Sequence, residues 1–263
     1  MLHLGRTRPL WLHPPVTRVD QALVDRGLCE SRSRAQRAVM AGQVRINGHP
    51  ARKASDAVRE GDRLELMAAE RYVSRGGHKL EHALRSFAVP VSGVLALDLG
   101  ASTGGFTDCL LQHGASQVHA VDVGQGQLAW KLRQDPRVVV RERTNARTLT
   151  PATFGEGFPG FDLVVADCSF ISLRKILPAA AGLLRPGGRM IALVKPQFEA
   201  GRDEADRGQG VITDPAVHAR VLSELEAFVR EGDFRLAWRS VTESPLLGPA
   251  GNKEFLALLE RLP

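Results

Sequence analysis

The strongest constraint on the fold of this chain is one turn. Val94-Leu95-Ala96-Leu97-Asp98-Leu99-Gly100 is an apolar strand that runs into Ala101-Ser102-Thr103-Gly104-Gly105-Phe106. A helix follows, with Phe106, Cys109, Leu110 and His113 on one face and Gly114 at its end. A strand that turns through glycines into a helix places backbone N–H groups and a helix N-terminus where they can receive an anion. The spacing is G-x-x-x-G-G rather than G-x-G-x-x-G, which weakens a dinucleotide reading. A glycine turn of this kind also serves purely as a connection.

The segments that follow repeat the alternation. Residues 117–121 read as a second strand ending at Asp122, a little over twenty residues after Asp98. A carboxylate at that place suits ribose hydroxyls, and also suits a strand-end or helix-capping role. Val138-Val139-Val140 is a third strand, followed by Asn145-Ala146-Arg147. Residues 161–167 form a fourth, ending at Asp167. Leu183-Leu184-Arg185-Pro186-Gly187-Gly188-Arg189 closes a helix and turns into the fifth, residues 190–194, before Lys195. Strands alternating with helices predict an α/β class with a largely parallel, doubly wound sheet. Ligands of such sheets bind at the carboxyl ends of the strands, where Gly100, Asp122, Asp167 and Lys195 all fall.

Charge divides the chain. Residues 1–67 hold 12 Lys+Arg against 7 Asp+Glu, and so carry nearly all of the +6 formal charge. A small basic unit ahead of a near-neutral body predicts a polyanion-binding module joined to something else. Within it, Val19, Ala22 and Leu23 share a helical face. A second helix over residues 34–41, capped by Ser31 or Ser33, carries Ala35, Ala38 and Val39 on one face and Arg34 and Arg37 on another. Val44-Arg45-Ile46 leads into Asn47-Gly48, a two-residue hairpin signal. Arg18, Arg32, Arg34, Arg37, Arg45 and Lys53 are the candidate contacts to nucleic acid, since guanidinium forks suit phosphate and stack on bases. A solvated charged face is the plainer alternative.

Other classes are excluded or weakened. Cys29, Cys109 and Cys168 form no C-x-x-C pair, so no metal site is expected, and reduced thiols fit a cytoplasmic protein. No apolar run reaches the roughly 18–20 residues needed to span a bilayer. The expected organisation is a flexible extension (1–15), a nucleic-acid-binding domain (16–67), a linker (68–78) and a larger domain (79–263). The linker is short enough to couple the two domains. The Gly- and charge-rich stretch over residues 200–210 reads as a mobile loop beside the cleft or as a plain surface loop.

The first segment, R-V-D-x-x-L followed by S-R-S-x-A-x-x-x-V-x-x-G-x-V-x-I-N-G, resembles the small α+β RNA-binding module first seen in a small-subunit ribosomal protein. The glycine turn, Asp122 and the L-x-P-G-G turn resemble the Rossmann-like S-adenosylmethionine-dependent methyltransferase fold. That resemblance implies a cofactor site at Asp98, Gly100, Ser102, Thr103, Gly104, Gly105 and Phe106, with Asp122 on the ribose and Asn145 and Ala146 near the adenine. Four longer motifs sharpen it: Tyr72-Val73-Ser74-Arg75-Gly76-Gly77-His78-Lys79-Leu80, Asp167-Cys168-Ser169-Phe170-Ile171-Ser172-Leu173, Val194-Lys195-Pro196-Gln197-Phe198-Glu199, and the stretch from Ser244 to Lys253-Glu254. Together they resemble the TlyA family, which joins this RNA module to an FtsJ-like methyltransferase domain. The resemblance implies methylation of ribose 2′-hydroxyls, of cytidine, in small- or large-subunit ribosomal RNA. It implies ribosomal RNA or ribosomal subunits as partners, and a tetrad of Lys79, Asp167, Lys195 and Glu254. In that tetrad Lys195 is the candidate base, Lys79 its cationic neighbour, Asp167 the group that orients the lysine, and Glu254 the one that positions Lys79 or the ribose. Some members are labelled haemolysins. Three alternatives stay open at this point. Asp167-Cys168-Ser169-Phe170 is similar to the D-P-P-[YF] loop of base N-methyltransferases, although it lacks both prolines. The chain can also be a non-catalytic assembly factor, or a pore-former.

Overall fold

The computed structural model describes residues 16–67, 70–201, 204 and 208–263. The extension over residues 1–15, the middle of the connector at 68–69, and residues 202–203 and 205–207 of the 200–210 stretch lie outside the described residues. The chain divides into two compact units, residues 1–70 and 71–263.

In the first unit β1 (Thr17–Arg18) leads into α1 (Val19–Asp25) and then α2 (Arg32–Met40). Ser31 caps α2 by accepting the Arg34 N–H at 3.3 Å. The helix therefore starts two residues earlier than the sequence pattern predicts, because the first of the two candidate serines takes the extended cap conformation. Next come β2 (Val44–Ile46), β3 (His49–Pro50), β4 (Ala57–Val58) and β5 (Leu64–Leu66). β2 and β3 form the hairpin, with Asn47 at φ 51° and Gly48 at φ 81°, the paired positive values such a two-residue turn demands. Val19, Leu23, Ala35, Val39, Val44 and Val58 close a small core.

The second unit opens with α3 (Gly76–Ser86). Residues 71–78, read from sequence as the end of a linker, fold into this unit instead. Tyr72 is buried, and a side chain at Gly77 would collide with the Tyr72 ring. Then follow β6 (Leu95–Leu99), α4 (Gly105–Gln112), β7 (Gln117–Val121), α5 (Trp130–Arg133), β8 (Val138–Arg141), β9 (Phe161–Ala166), α6 (Leu177–Leu183), β10 (Leu184–Val194), α7 (Pro196–Glu199), α8 (Pro215–Glu231), β11 (Leu236–Glu243) and β12 (Phe255–Arg261). The sheet order is β11-β12-β10-β9-β6-β7-β8. β8, β7, β6, β9 and β10 are parallel, and β12 enters antiparallel between β10 and β11.

Alternation along each strand builds two cores. Leu97, Leu99, Val164, Ala166, Met190 and Ala192 face α6 and α8. Ala96, Leu163, Val165, Ile191 and Leu193 face α3 and α4. Strands buried on both faces explain the continuous apolar runs in the sequence. The structure corrects the fifth strand. The helix stops at Leu183, and residue 184 already pairs with Phe161, with Pro186-Gly187-Gly188 accommodated as an irregularity before pairing resumes at Arg189.

Candidate active site

Parallel pairing brings the strand ends into line. Leu99 sits opposite Val121 on one side and Ala166 on the other, so Gly100, Asp122 and Asp167 emerge together. Lys195 follows the end of β10. Because β12 runs the other way, its beginning lies at this same end: Val194 pairs with Phe255, which sets Glu254 beside Lys195.

At Gly100 φ is +82°, and a Cβ would stand 2.7 Å from the Asp167 carbonyl oxygen, so only glycine lets the two strand ends approach this closely. The Gly100 and Ala101 N–H groups donate to the Val121 carbonyl. Asp122 accepts the Ser102 N–H at 2.8 Å and the Gly124 N–H at 2.7 Å, which fixes its carboxylate at the mouth of the turn. A cavity of about 470 Å³ opens there. The candidate cofactor residues Gly100, Ser102, Asp122, Asn145 and Ala146 line it, together with apolar Val121, Ile171 and Ile176. A second, more polar cavity of about 210 Å³ is lined by Thr103, Gly105, Phe106, Lys79, Asp167, Lys195 and Glu254. The two cavities share Gly100, Ser102, Asp167 and Ser169.

Two expected cofactor residues line neither cavity. Asp98 alternates away from the strand end and is fully buried; its Oδ2 accepts the Thr107 hydroxyl at 2.7 Å. Its Oδ1 has no hydrogen-bond partner, and burial pushes the carboxyl up to about 7. Gly104 has φ +96°, and a Cβ there would overlap Leu132 and Leu128, so its place is one of packing under the turn.

The four tetrad positions form two ion pairs. Lys79 Nζ lies 2.5 Å from Glu254 Oε2, and both side chains are buried. Lys195 Nζ lies 2.6 Å from Asp167 Oδ1, an ion-pair approach that lacks hydrogen-bond alignment. Lys195 instead donates a hydrogen bond to Ser169 Oγ at 2.8 Å, with the Phe198 ring nearby. Sequence reasoning missed Ser169 and Phe170 as site residues. Phe170 is 91% exposed, holds φ at 62°, and packs on Phe198 at 5.3 Å between ring centroids. Both stand in the loop whose similarity to the D-P-P-[YF] loop of base N-methyltransferases was the available signal. Among the described residues no group of three metal-ligating side chains occurs.

The six basic candidates of the first unit are all exposed, but not equally free. Arg18 donates to both oxygens of the fully buried Asp20 at 3.0 Å, and Arg32 joins them at 3.2 Å. These bonds hold the Asp20 carboxyl well below its usual range. Arg34 and Arg37 line a separate cleft of about 500 Å³ with Cys29, Gln43 and Met67. Arg45 donates to the Gly48 carbonyl at 3.0 Å. Lys53 lies on the turn that Asp56 closes by accepting its backbone N–H.

The donor set fits S-adenosylmethionine. A side-chain-free floor, a strand-end carboxylate and apolar walls suit a nucleoside, and the adjoining polar cavity suits the reacting end. A doubly wound sheet with this site defines a methyltransferase that uses that cofactor. Residues 72–261 match the FtsJ-like methyltransferase family, and residues 17–64 match the S4 domain. The 16S/23S rRNA (cytidine-2′-O)-methyltransferase TlyA of Mycobacterium tuberculosis is 50% identical, over 92% of this chain and 89% of its own length. Hemolysin A of Brachyspira hyodysenteriae is 40% identical, over 91% of this chain and 98% of its own. A solved structure described as a hemolysin from Streptococcus thermophilus is 46% identical with a TM-score of 0.70, covering 95% of this chain and 90% of that one. The chain belongs to the TlyA family of FtsJ-like methyltransferases, with an S4 domain in front. Among the described residues no helix is long and apolar enough to cross a membrane.

Proposed function

We propose that this enzyme methylates the ribose 2′-hydroxyl of cytidine in ribosomal RNA. The observation that carries the reading is the pair of lysine–carboxylate contacts in a cavity that shares a wall with the cofactor cavity. When bound, S-adenosylmethionine supplies an electrophilic sulfonium methyl group. Gly100, Ser102, Asp122, Asn145 and Ala146 would hold it, and the rest of the chemistry belongs to the protein.

A ribose hydroxyl is a poor acid, so it needs a base as its oxygen forms the new bond to carbon. The Lys195 amine takes the hydroxyl proton. Asp167 and Ser169 receive the ammonium that results, one by charge and one by hydrogen bond. Glu254 fixes the Lys79 ammonium at the same cavity, where a positive charge stabilises the developing alkoxide. The exposed Phe170 ring offers a stacking face for the target base. The S4 unit supplies attraction for RNA backbone through its exposed arginines.

The test is a map of 2′-O-methylated positions on ribosomal RNA from cells with and without the protein, repeated with Lys195→Ala. A position that is lost in both the deletion and the variant, while the variant still folds and binds cofactor, supports the reading. Full methylation by the variant refutes the lysine base. The similarity of the loop after Asp167 to that of base N-methyltransferases gives a second reading. Resistance of the modified linkage to alkali separates the two, because only 2′-O-methylation blocks hydrolysis there.

A further inference from the structure

Glu199 lies four residues after Lys195 and belongs to neither ion pair of the site. It is buried at 8% exposure, yet carries a carboxylate. Its Oε2 accepts the Ser172 hydroxyl at 2.6 Å and its Oε1 the Leu173 N–H at 2.7 Å. Burial holds the carboxyl above its usual range, against the pull of those two hydrogen bonds and of Arg174. A buried carboxylate is costly unless its bonds are needed.

The two groups it holds end the loop that begins at Asp167. Within that loop Phe170 occupies the left-handed region at φ 62°. Such a backbone persists only where its surroundings over-determine it. The segment from Lys195 to Glu199 meets the loop at three places. Lys195 reaches Asp167 and Ser169, the Phe198 ring meets Phe170, and Glu199 grips Ser172 and the Leu173 backbone. The first two contacts border the cavities. The third lines neither cavity and is the one that fixes main chain.

We propose that Glu199 is a positioning residue for methyl transfer: it clamps the 167–173 loop to the segment that carries Lys195, so that Asp167 and Ser169 stand in line with the lysine amine. This rests on the reading that Lys195 takes the hydroxyl proton. Glutamine keeps the clamp, since its Oε1 can accept the Leu173 N–H and its Nε2 can donate to Ser172 Oγ. Alanine removes both bonds.

The experiment compares the full chain with Glu199→Gln, Glu199→Ala and Ser172→Ala. The methylation rate on ribosomal RNA is measured in single turnover at saturating cofactor and RNA. Cofactor affinity is taken by calorimetry, and each variant is melted. Misplacement of reacting groups by about 1 Å costs roughly 100-fold, so Glu199→Ala is expected to react about 10- to 100-fold slower even at saturation. Glu199→Gln is expected to stay within about threefold of the parent, and Ser172→Ala to fall between. An alanine variant at the parent rate overturns the clamp. So does a glutamine variant that binds cofactor normally and is as slow as alanine, because charge rather than position would then be at stake. Should Glu199→Ala fail to melt cooperatively, the other two decide: a fast Gln with a slow Ser172→Ala supports the clamp, and Ser172→Ala at the parent rate overturns it. Failure of the underlying reading looks different, since Lys195→Ala would then methylate ribose as fast as the unmodified protein.

Discussion

Lys79 and Glu254 offer the sharpest energetic test. The pair is buried on both sides, with side-chain exposures of 8% and 1% and a contact of 2.5 Å. Lys79→Met keeps the stem of the side chain and deletes its charge. The Glu254 carboxylate is then left without its partner in a place water barely reaches. Breaking a buried pair from one side costs about 3–5 kcal/mol. For a unit of this size, about 2–4 °C of melting temperature is lost per kcal/mol, so the midpoint should fall by roughly 6–20 °C. The double variant Lys79→Met/Glu254→Leu removes both charges and should recover most of that loss, because apolar replacement of a whole buried pair is often neutral. Urea unfolding followed by tryptophan fluorescence, to which Trp130 and Trp238 of this unit contribute, measures both variants. Methyl transfer is assayed alongside, and should be lost in the double variant even as stability returns. That separation would divide the structural from the chemical role of the pair. A single variant that loses under about 1 kcal/mol, or a double variant no more stable than Lys79→Met, would refute the reasoning.

Three further outcomes are expected. Gly100→Ala should abolish cofactor binding by calorimetry and destabilise the fold by roughly 1–3 kcal/mol, because its Cβ meets the Asp167 carbonyl oxygen and its φ is positive; normal affinity would refute this. Asp98 is raised in the folded state from 3.8 to about 7, so its contribution to stability is complete below about pH 4 and is lost as pH rises through 7. Asp98→Asn should remove that decline, and superimposable stability-versus-pH curves for the two proteins would contradict it. Arg34→Ala and Arg37→Ala should each weaken RNA binding and lower its salt slope by about one, measured by titration at several salt concentrations. An unchanged slope would count against a phosphate contact.

Much of the second unit was legible because its strands are buried on both faces and read as apolar runs. Gly100, Asp122, Asp167 and Lys195 then followed from the rule that strand ends converge. The C-terminal hairpin was not legible. β11 is half-exposed along its length, and nothing in its sequence states that β12 inserts beside β10 rather than at the edge. Without that insertion Glu254 has no reason to meet Lys79, and only the family motif pointed there. Asp98 shows the opposite failure. It sits in the most telling motif of the chain, yet the period-two alternation of β6 turns it toward Thr107 and away from both cavities. In the first unit Arg18 and Arg32 look like free cations in sequence, and only the fold shows that one buried aspartate engages both. Glu199 is likewise a letter in a motif until burial and two bonds reveal its task.

The antiparallel insertion of β12 also sets an order along the chain. The sheet's penultimate place is filled by residues 255–261, which follow every other strand of this sheet in the chain. Without them the β10 edge is open and Lys79 has no carboxylate partner from a residue 175 positions later. A chain lacking this stretch cannot assemble the full set of paired charges. The strand that brings Glu254 to Lys79 thereby also covers the β10 edge, and shortening the chain before residue 254 would remove both at once.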